Sequence, residues 1–166
     1  MSNDTIQSAL DSETSVLFNP AFCAVLLHKV CAGYAEKAGA PMPVVYAFLI
    51  LPNALHKPTR DALPKTTAAS MWPWLREHPV LLMDLPDRVR RLRPYTAAAI
   101  AYGLGHTILI GALGTLSAGT IGRRPPTLKP TEDWLSCQKA AGFLGKWFAG
   151  TDADEATTLA QWGVRP

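Results

Sequence analysis

The stretch 94-PYTAAAIAYGLGHTILIGALGTLSAGTIG-122 contains no Asp, Glu, Lys or Arg, and it lies between 88-RVRRLR-93 and 123-RRPP-126. As one helix it would be long enough to cross a bilayer, which takes roughly 20 mostly apolar residues. Its internal pattern argues otherwise. Gly103, Gly105, His106, Gly111, Gly114, Ser117 and Gly119 interrupt the apolar run, and after Gly105 the sequence turns rich in β-branched residues and Gly. Helical spacing up to Gly105, then β-branched residues punctuated by Gly, predicts a buried helix followed by a strand, a turn and a second strand over 107–122. Basic residues flank the run on both sides, so the charge asymmetry that orients a membrane span is missing. The other apolar run, Val44–Leu51, is too short to be a partner span. The chain is read as cytoplasmic, with no membrane partner.

Working outward, Leu85, Val89, Leu92, Tyr95/Thr96, Ala99 and Tyr102 recur at helical spacing, with Asp84 as the expected cap and Asp87 near the helix start. Pro94 is expected to break or kink this segment into two helices. Further upstream, Asn19 caps and Pro20 opens a helix whose apolar stripe is Phe22, Leu26, Val30 and Tyr34, with Cys23, Leu27 and Cys31 beside it; Gly39 and Pro41 end it. Pro43 is expected to start a helix that is apolar nearly all round, hence central, ending or kinking before Pro52. A turn of helix follows over Thr59–Leu63, and 66-TTAASMWPWLREHP-79 reads as a capped helix. Downstream, Thr131 caps a helix over 132–150 with Trp134/Leu135, Ala141, Leu144 and Phe148 along one face, and a last short helix lies near 154–162.

The predicted fold is therefore mainly α: a single compact helical domain over 19–166 with a small β-hairpin, preceded by an arm or weak helix over 1–18. Helices followed by strand–turn–strand resemble a winged helix, in which the helix before the wing often enters the major groove. Here 95-YTAAAIAYGLG-105 offers no Arg, Lys, Asn or Gln to read bases. Such an element is better suited to packing against protein.

Composition narrows the function classes. A chain of 166 residues suggests one domain, and 17% charged residues is low enough to hint at buried contact surface. The net charge of +3 is too small to imply nucleic acid by itself. The opening MSNDTIQSALDSETS is polar and acidic, without the regions of a signal peptide. Of the three cysteines, Cys23 and Cys31 stand about 12 Å apart along one helix, too far for a disulfide. Free thiols in odd number fit a reducing compartment. His28, His56, His78 and His106 are scattered, and no CxxC, HxxxH, HExxH, Walker A or GxSxG pattern occurs. The acidic residues Asp84, Asp87, Glu132 and Asp133 gather at helix starts, where capping explains them. No enzymatic activity, cofactor or metal is expected.

Two sets of residues are candidates for binding. Arg88, Arg90, Arg91 and Arg93 lie within six positions; Arg123, Arg124 and Lys129 follow the hairpin; Lys57, Arg60 and Lys65 form a third group. Gathered by the fold, they would make a phosphate-binding surface. The alternative, a solvated helix face with internal ion pairs, carries more weight because net charge is low and no aromatic is interleaved for stacking. Five tryptophans exceed what a small core needs, and Trp is enriched at interface anchors. Trp134 and Trp147 are assigned to the core. Trp72, Trp74 and the terminal 162-WGVRP-166, with Trp162, Val164 and Arg165, are assigned to a protein interface.

The blocks 18-FNPAFCAVLLHKVCAGY-34, 42-MPVVYAFLILPNALHKPTRDALP-64, 74-WLREHP-79, 88-RVRRLRPYTAAAIAYGLGH-106 and 140-AAGFLGKWFAG-150, with the TTLAQWGVRP ending, resemble the middle component of bacterial three-component ABC systems. The resemblance runs over about residues 17–166. It implies an SMC-like ABC ATPase and an effector-coupling subunit as partners. It also implies a Lamassu-like role in conflict with phages and other invading DNA, and DNA contact through the complex. None of these blocks is a catalytic motif, so the resemblance implies no catalytic residue. Two functions stay in view: a non-catalytic assembly subunit bridging ATPase and effector, and a winged-helix-type DNA-binding regulator.

Overall fold

The structure, a computed structural model, describes residues 18–123 and 130–164. The expected arm over 1–18 therefore lies outside the described residues, apart from Phe18.

Helix α1 (Pro20–Ala38) begins and ends as its local signals require. The Asn19 side chain accepts the Ala21 N–H at 2.8 Å, and Gly39 takes the left-handed conformation at φ 66° to close the last turn on Ala35 O. A two-residue strand, β1 (Met42–Pro43), follows, and then helix α2 (Val44–Leu55). The short helices α3 (Lys57–Ala62), α4 (Met71–Glu77) and α5 (Pro79–Met83) lead to α6 (Leu85–Gly105). The hairpin strands are β2 (Leu109–Ala112) and β3 (Thr115–Ala118). Helices α7 (Glu132–Ala149) and α8 (Glu155–Gln161) complete the described chain. The Thr131 hydroxyl caps α7 by accepting the Trp134 N–H at 3.1 Å.

Several expectations are corrected. Pro43 does not open a helix; it pairs with Thr115, as Met42 pairs with Leu116, so the hairpin gains a third antiparallel strand in the order β1-β3-β2. The Val44 N–H then bonds Gly114 O at 2.9 Å, tying the start of α2 to the hairpin turn. Neither Pro52 nor Pro94 ends its helix. An internal proline removes one backbone bond and crowds the preceding turn, but α2 is buried from Leu49 through Ala54 and the core holds it in place. In α6, Leu92, Thr96 and Ala99 bury on both sides of Pro94, and the carbonyl that Pro94 leaves unpaired belongs to exposed Arg90, where water can reach it. Helix α4 starts at Met71 rather than near Thr66, which places Pro73 in the first turn, where its missing N–H costs nothing. Asp84 does not cap α6 with its side chain. Leu135, assigned to the buried face of α7, is exposed; that face is Cys137, Ala140, Ala141, Leu144, Gly145, Trp147 and Phe148.

The core centres on α1, which packs most extensively on α7 and then on α6. Its contact with α7 is close because Gly33 faces Gly142 and Gly145 faces the Val30 carbonyl. Residues 94–122 resolve into the C-terminal half of α6 and the hairpin, with Ala99, Leu109 and Leu116 buried in the core. Among the described residues no helix is long and apolar enough to cross a membrane. The order is helix, short strand, helices and hairpin, with β1 against β3 and α6 directly before the hairpin.

Candidate functional site

Helix α6 crosses α2, and an apolar cleft opens on each side of the crossing. The larger, of about 670 Å³, is lined by Val45, Phe48 and Leu49 from α2, by Pro86, Val89, Arg90 and Arg93 from α6, and by Leu159, Gly163 and Val164 from the C-terminal segment. The smaller, of about 370 Å³, is lined by Phe18, Pro52, Leu55, His56, Arg88, Arg91, Leu92 and Tyr95. The helical repeat sorts the arginines. Arg90 and Arg93, three apart, share one face, while Arg88 and Arg91 share the other. Phe18 packs on Tyr95 in the smaller cleft, with ring centroids 4.8 Å apart.

The four arginines are not equivalent. Arg88 is 6% exposed, and its Nη1 donates to both carboxylate oxygens of Asp84 at 3.2 Å. Burial pulls the Arg88 pKa down while Asp84 opposes that shift. Arg88 is thus a buried structural cation and not a surface phosphate contact, because the turn that places Leu92 in the core carries Arg88 inward with it. Arg90 is exposed and donates to Asp87 at 2.9 Å. Arg91 and Arg93 are exposed, with no side-chain partner among the described residues. Arg123 is exposed, and Arg124 and Lys129 lie outside the described residues. Between Asp84 and Arg93 there are four arginines and two aspartates, so this segment carries a net charge of +2.

The third basic group does not form a surface either. Lys57 pairs with Asp61 at 2.8 Å. Arg60 is buried and bonds Ser136, Ala54, Leu55 and Asp133. His56 Nδ1 and Thr59 Oγ1 lie 2.8 Å apart, and burial, with Arg88 nearby, lowers the His56 pKa.

The tryptophan assignments also change. Trp74 and Trp162, assigned to an interface, belong to the core with Trp147. Trp162 is 1% exposed, and Trp74 lies 5.4 Å from Trp147 and 6.1 Å from Trp162 between ring centroids. Their indoles donate to Ala62 O, Ala69 O and Met71 Sδ, so the cluster anchors the irregular 62–71 segment against α7 and α8. Trp72 is half-buried against the core. Val164 is half-buried in the wall of the larger cleft, and Arg165 lies outside the described residues.

At the other end of α6, the hairpin exposes apolar surface. Leu113 is fully exposed at 104%, and Ile110 and Leu104 are exposed as well. Leu113 at φ 48° and Gly114 at φ 78° make a left-handed two-residue turn of type I′. Strand β2 is an edge strand of the sheet, as is β1. Strand β2 and its turn, residues 109–114, carry no charged residue, although charge is a common protection for exposed strands. A second apolar patch, Val80 and Met83, projects from α5; its helix was not anticipated, being one turn long and lying between two prolines.

Among the described residues no group of three or more His, Cys, Asp or Glu is placed to hold a metal. His28 Nε2 contacts Gly119 O at 3.1 Å, and burial pushes the Cys31 thiol up to about 12.

Residues 7–166 match the family described as MC3, ABC-three component (ABC-3C) system Middle Component 3. No curated protein and no solved structure matches the chain.

Proposed function

The chain belongs to the Middle Component 3 family of ABC-three component systems, and from that membership we propose that it is a non-catalytic assembly subunit. It docks on the SMC-like ABC ATPase of its system and bridges it to the effector-coupling subunit, in defence against phage or plasmid DNA. One observation carries this reading: α6 runs unbroken from Leu85 to Gly105 and joins two unlike exposed surfaces. At its N-terminal half lies an apolar cleft flanked by arginines; at its C-terminal end lies an uncharged hairpin with an exposed leucine tip. At 1.5 Å per residue, Arg90 and Gly105 are roughly 20 Å apart along the axis. The accessible surface of 9818 Å² has room for two standard footprints of about 800 Å² each.

Reconstitution from purified components tests the bridge. The double variant Arg90→Glu/Arg93→Glu is expected to lose one partner and keep the other. Leu113→Asp/Ile110→Asp is expected to do the reverse. Loss of the same partner by both variants, or of none by either, would refute a two-ended bridge.

A second reading, a DNA-binding regulator, is favoured by the continuity of α6 through Pro94. That continuity puts Arg90, Arg91 and Arg93 on the same helix that precedes the hairpin, in its N-terminal half, where recognition helices make base contacts. It requires the isolated protein to bind duplex DNA with an affinity that falls steeply with salt and is lost in Arg91→Glu/Arg93→Glu. Binding that is absent at 50 mM salt removes it.

A further inference from the structure

We infer that the larger cleft receives an amphipathic α-helix of another component of the system, with an apolar stripe flanked by carboxylates; this rests on the assembly reading above. The floor of the cleft selects the stripe. Phe48, Val89, Leu159 and Val164 are apolar and offer no hydrogen-bond partner to a polar side chain. The rim selects the charge. Among the described residues Arg90 and Arg93 line the cleft and no carboxylate does. Among the described residues Asp87 pairs with Arg90 alone and Arg93 has no carboxylate partner, which suits Arg93 to an incoming anion. The walls select the conformation. They come mainly from α2, α6 and the α8 segment, helices whose backbone is bonded internally except at the Phe48 and Arg90 carbonyls, which Pro52 and Pro94 leave without a helical N–H. An extended peptide would find no sheet edge to pair with here, whereas a helix satisfies its own backbone and presents side chains at i, i+3, i+4 and i+7.

The test uses the full chain carrying a benzophenone amino acid in place of Phe48, and a second protein carrying it in place of Val164 in case the first substitution disturbs folding. Each is mixed with the purified ATPase and effector-coupling components and irradiated, and the adduct is mapped by peptide mass spectrometry. The expected adduct lies on a helical segment of one of these components, with apolar residues at helical spacing and Asp or Glu on either side. Arg90→Glu/Arg93→Glu should then weaken that partner at least tenfold, and replacing the mapped carboxylates by Arg should restore binding. An adduct on a basic or extended segment, on a second copy of this chain, on its own residues 1–17 or on DNA would overturn the inference. So would a complex that assembles without any adduct at either position. Failure of the three proteins to assemble at all would instead sink the assembly reading, and this inference with it.

Discussion

Arg60 on α3 and Asp133 in the first turn of α7 form an ion pair that joins positions 73 residues apart. The Arg60 side chain is 3% exposed, and its guanidinium also donates to Ser136 Oγ at 3.1 Å, Ala54 O at 3.1 Å and Leu55 O at 2.8 Å. One side chain therefore closes the end of α2, holds α3 and fixes the start of α7. Asp133 serves twice, since a carboxylate in a first turn also answers the helix dipole.

Removing the cation from this arrangement leaves two carbonyls and a carboxylate without their partner. Arg60→Ala is expected to cost about 2–4 kcal/mol, because the Ala54 and Leu55 carbonyls lose their donor and the buried stem its packing, while the half-exposed Asp133 carboxylate stays hydrated. Asp133→Asn, changed on the half-exposed side, should cost about 1 kcal/mol. Urea unfolding of the two variants checks this. A smaller loss for Arg60→Ala than for Asp133→Asn would mean that the Asp133 charge, and not the bonds to the carbonyls, holds the arrangement together.

The α1–α7 contact makes opposite forecasts for two neighbouring glycines. A Cβ on Gly145 would sit 2.2 Å from Val30 O, while one on Gly142 meets nothing within 4 Å. Gly145→Ala must push the helices apart and is expected to cost about 1–3 kcal/mol. Gly142→Ala gains helix propensity and should stabilise by up to about 1 kcal/mol. Thermal unfolding of the pair separates them, and equal midpoints would contradict the close approach.

Leu113 holds a left-handed conformation that costs a leucine roughly 1–2 kcal/mol relative to its usual backbone, and its side chain meets only solvent. Leu113→Asn suits a type I′ turn better and should raise the melting temperature. On the bridging reading, the same substitution weakens one partner, so stability and assembly move in opposite directions. A rise in stability with assembly unchanged would make the tip dispensable.

His28 ties α1 to the end of the hairpin through Gly119 O. Burial lowers its pKa from 6.5, and Lys29 adds to the shift against the opposing Gly119 bond. The folded protein therefore resists protonation while the unfolded chain accepts it. The stability this contributes is present above the unfolded value of about 6.5 and is lost as pH falls through the folded value. His56 shifts in the same direction, so His28→Gln is expected to flatten, not abolish, the fall in urea stability between pH 7 and pH 5. A profile as steep as that of the unaltered chain would assign the effect elsewhere.

Much of the fold is legible because it is local. Asn19, Gly39 and Thr131 mark helix ends through bonds to residues within a few positions, and Gly114 marks the hairpin turn by its permitted φ. Helical spacing up to Gly105 and β-branched residues after it separate the long uncharged run into helix and hairpin, and the order of blocks points to the family. The rest is non-local. Whether Pro52 and Pro94 break their helices depends on the burial on either side of them, and Met42–Pro43 becomes a strand only because Thr115 and Leu116 lie beside it. Trp74 and Trp162 look like surface anchors until the fold brings them together around Trp147. Arg88 and Arg60 read as members of basic surface groups, yet one turn of helix in the first case and a carboxylate 73 residues away in the second carry them inside. The sequence by itself determined the helix ends that local caps mark, at Asn19, Gly39 and Thr131, since capping acts over a few residues; only the tertiary structure decided whether a proline ends its helix and which charges and aromatics remain on the surface, since burial is set by what packs against a residue from elsewhere in the chain.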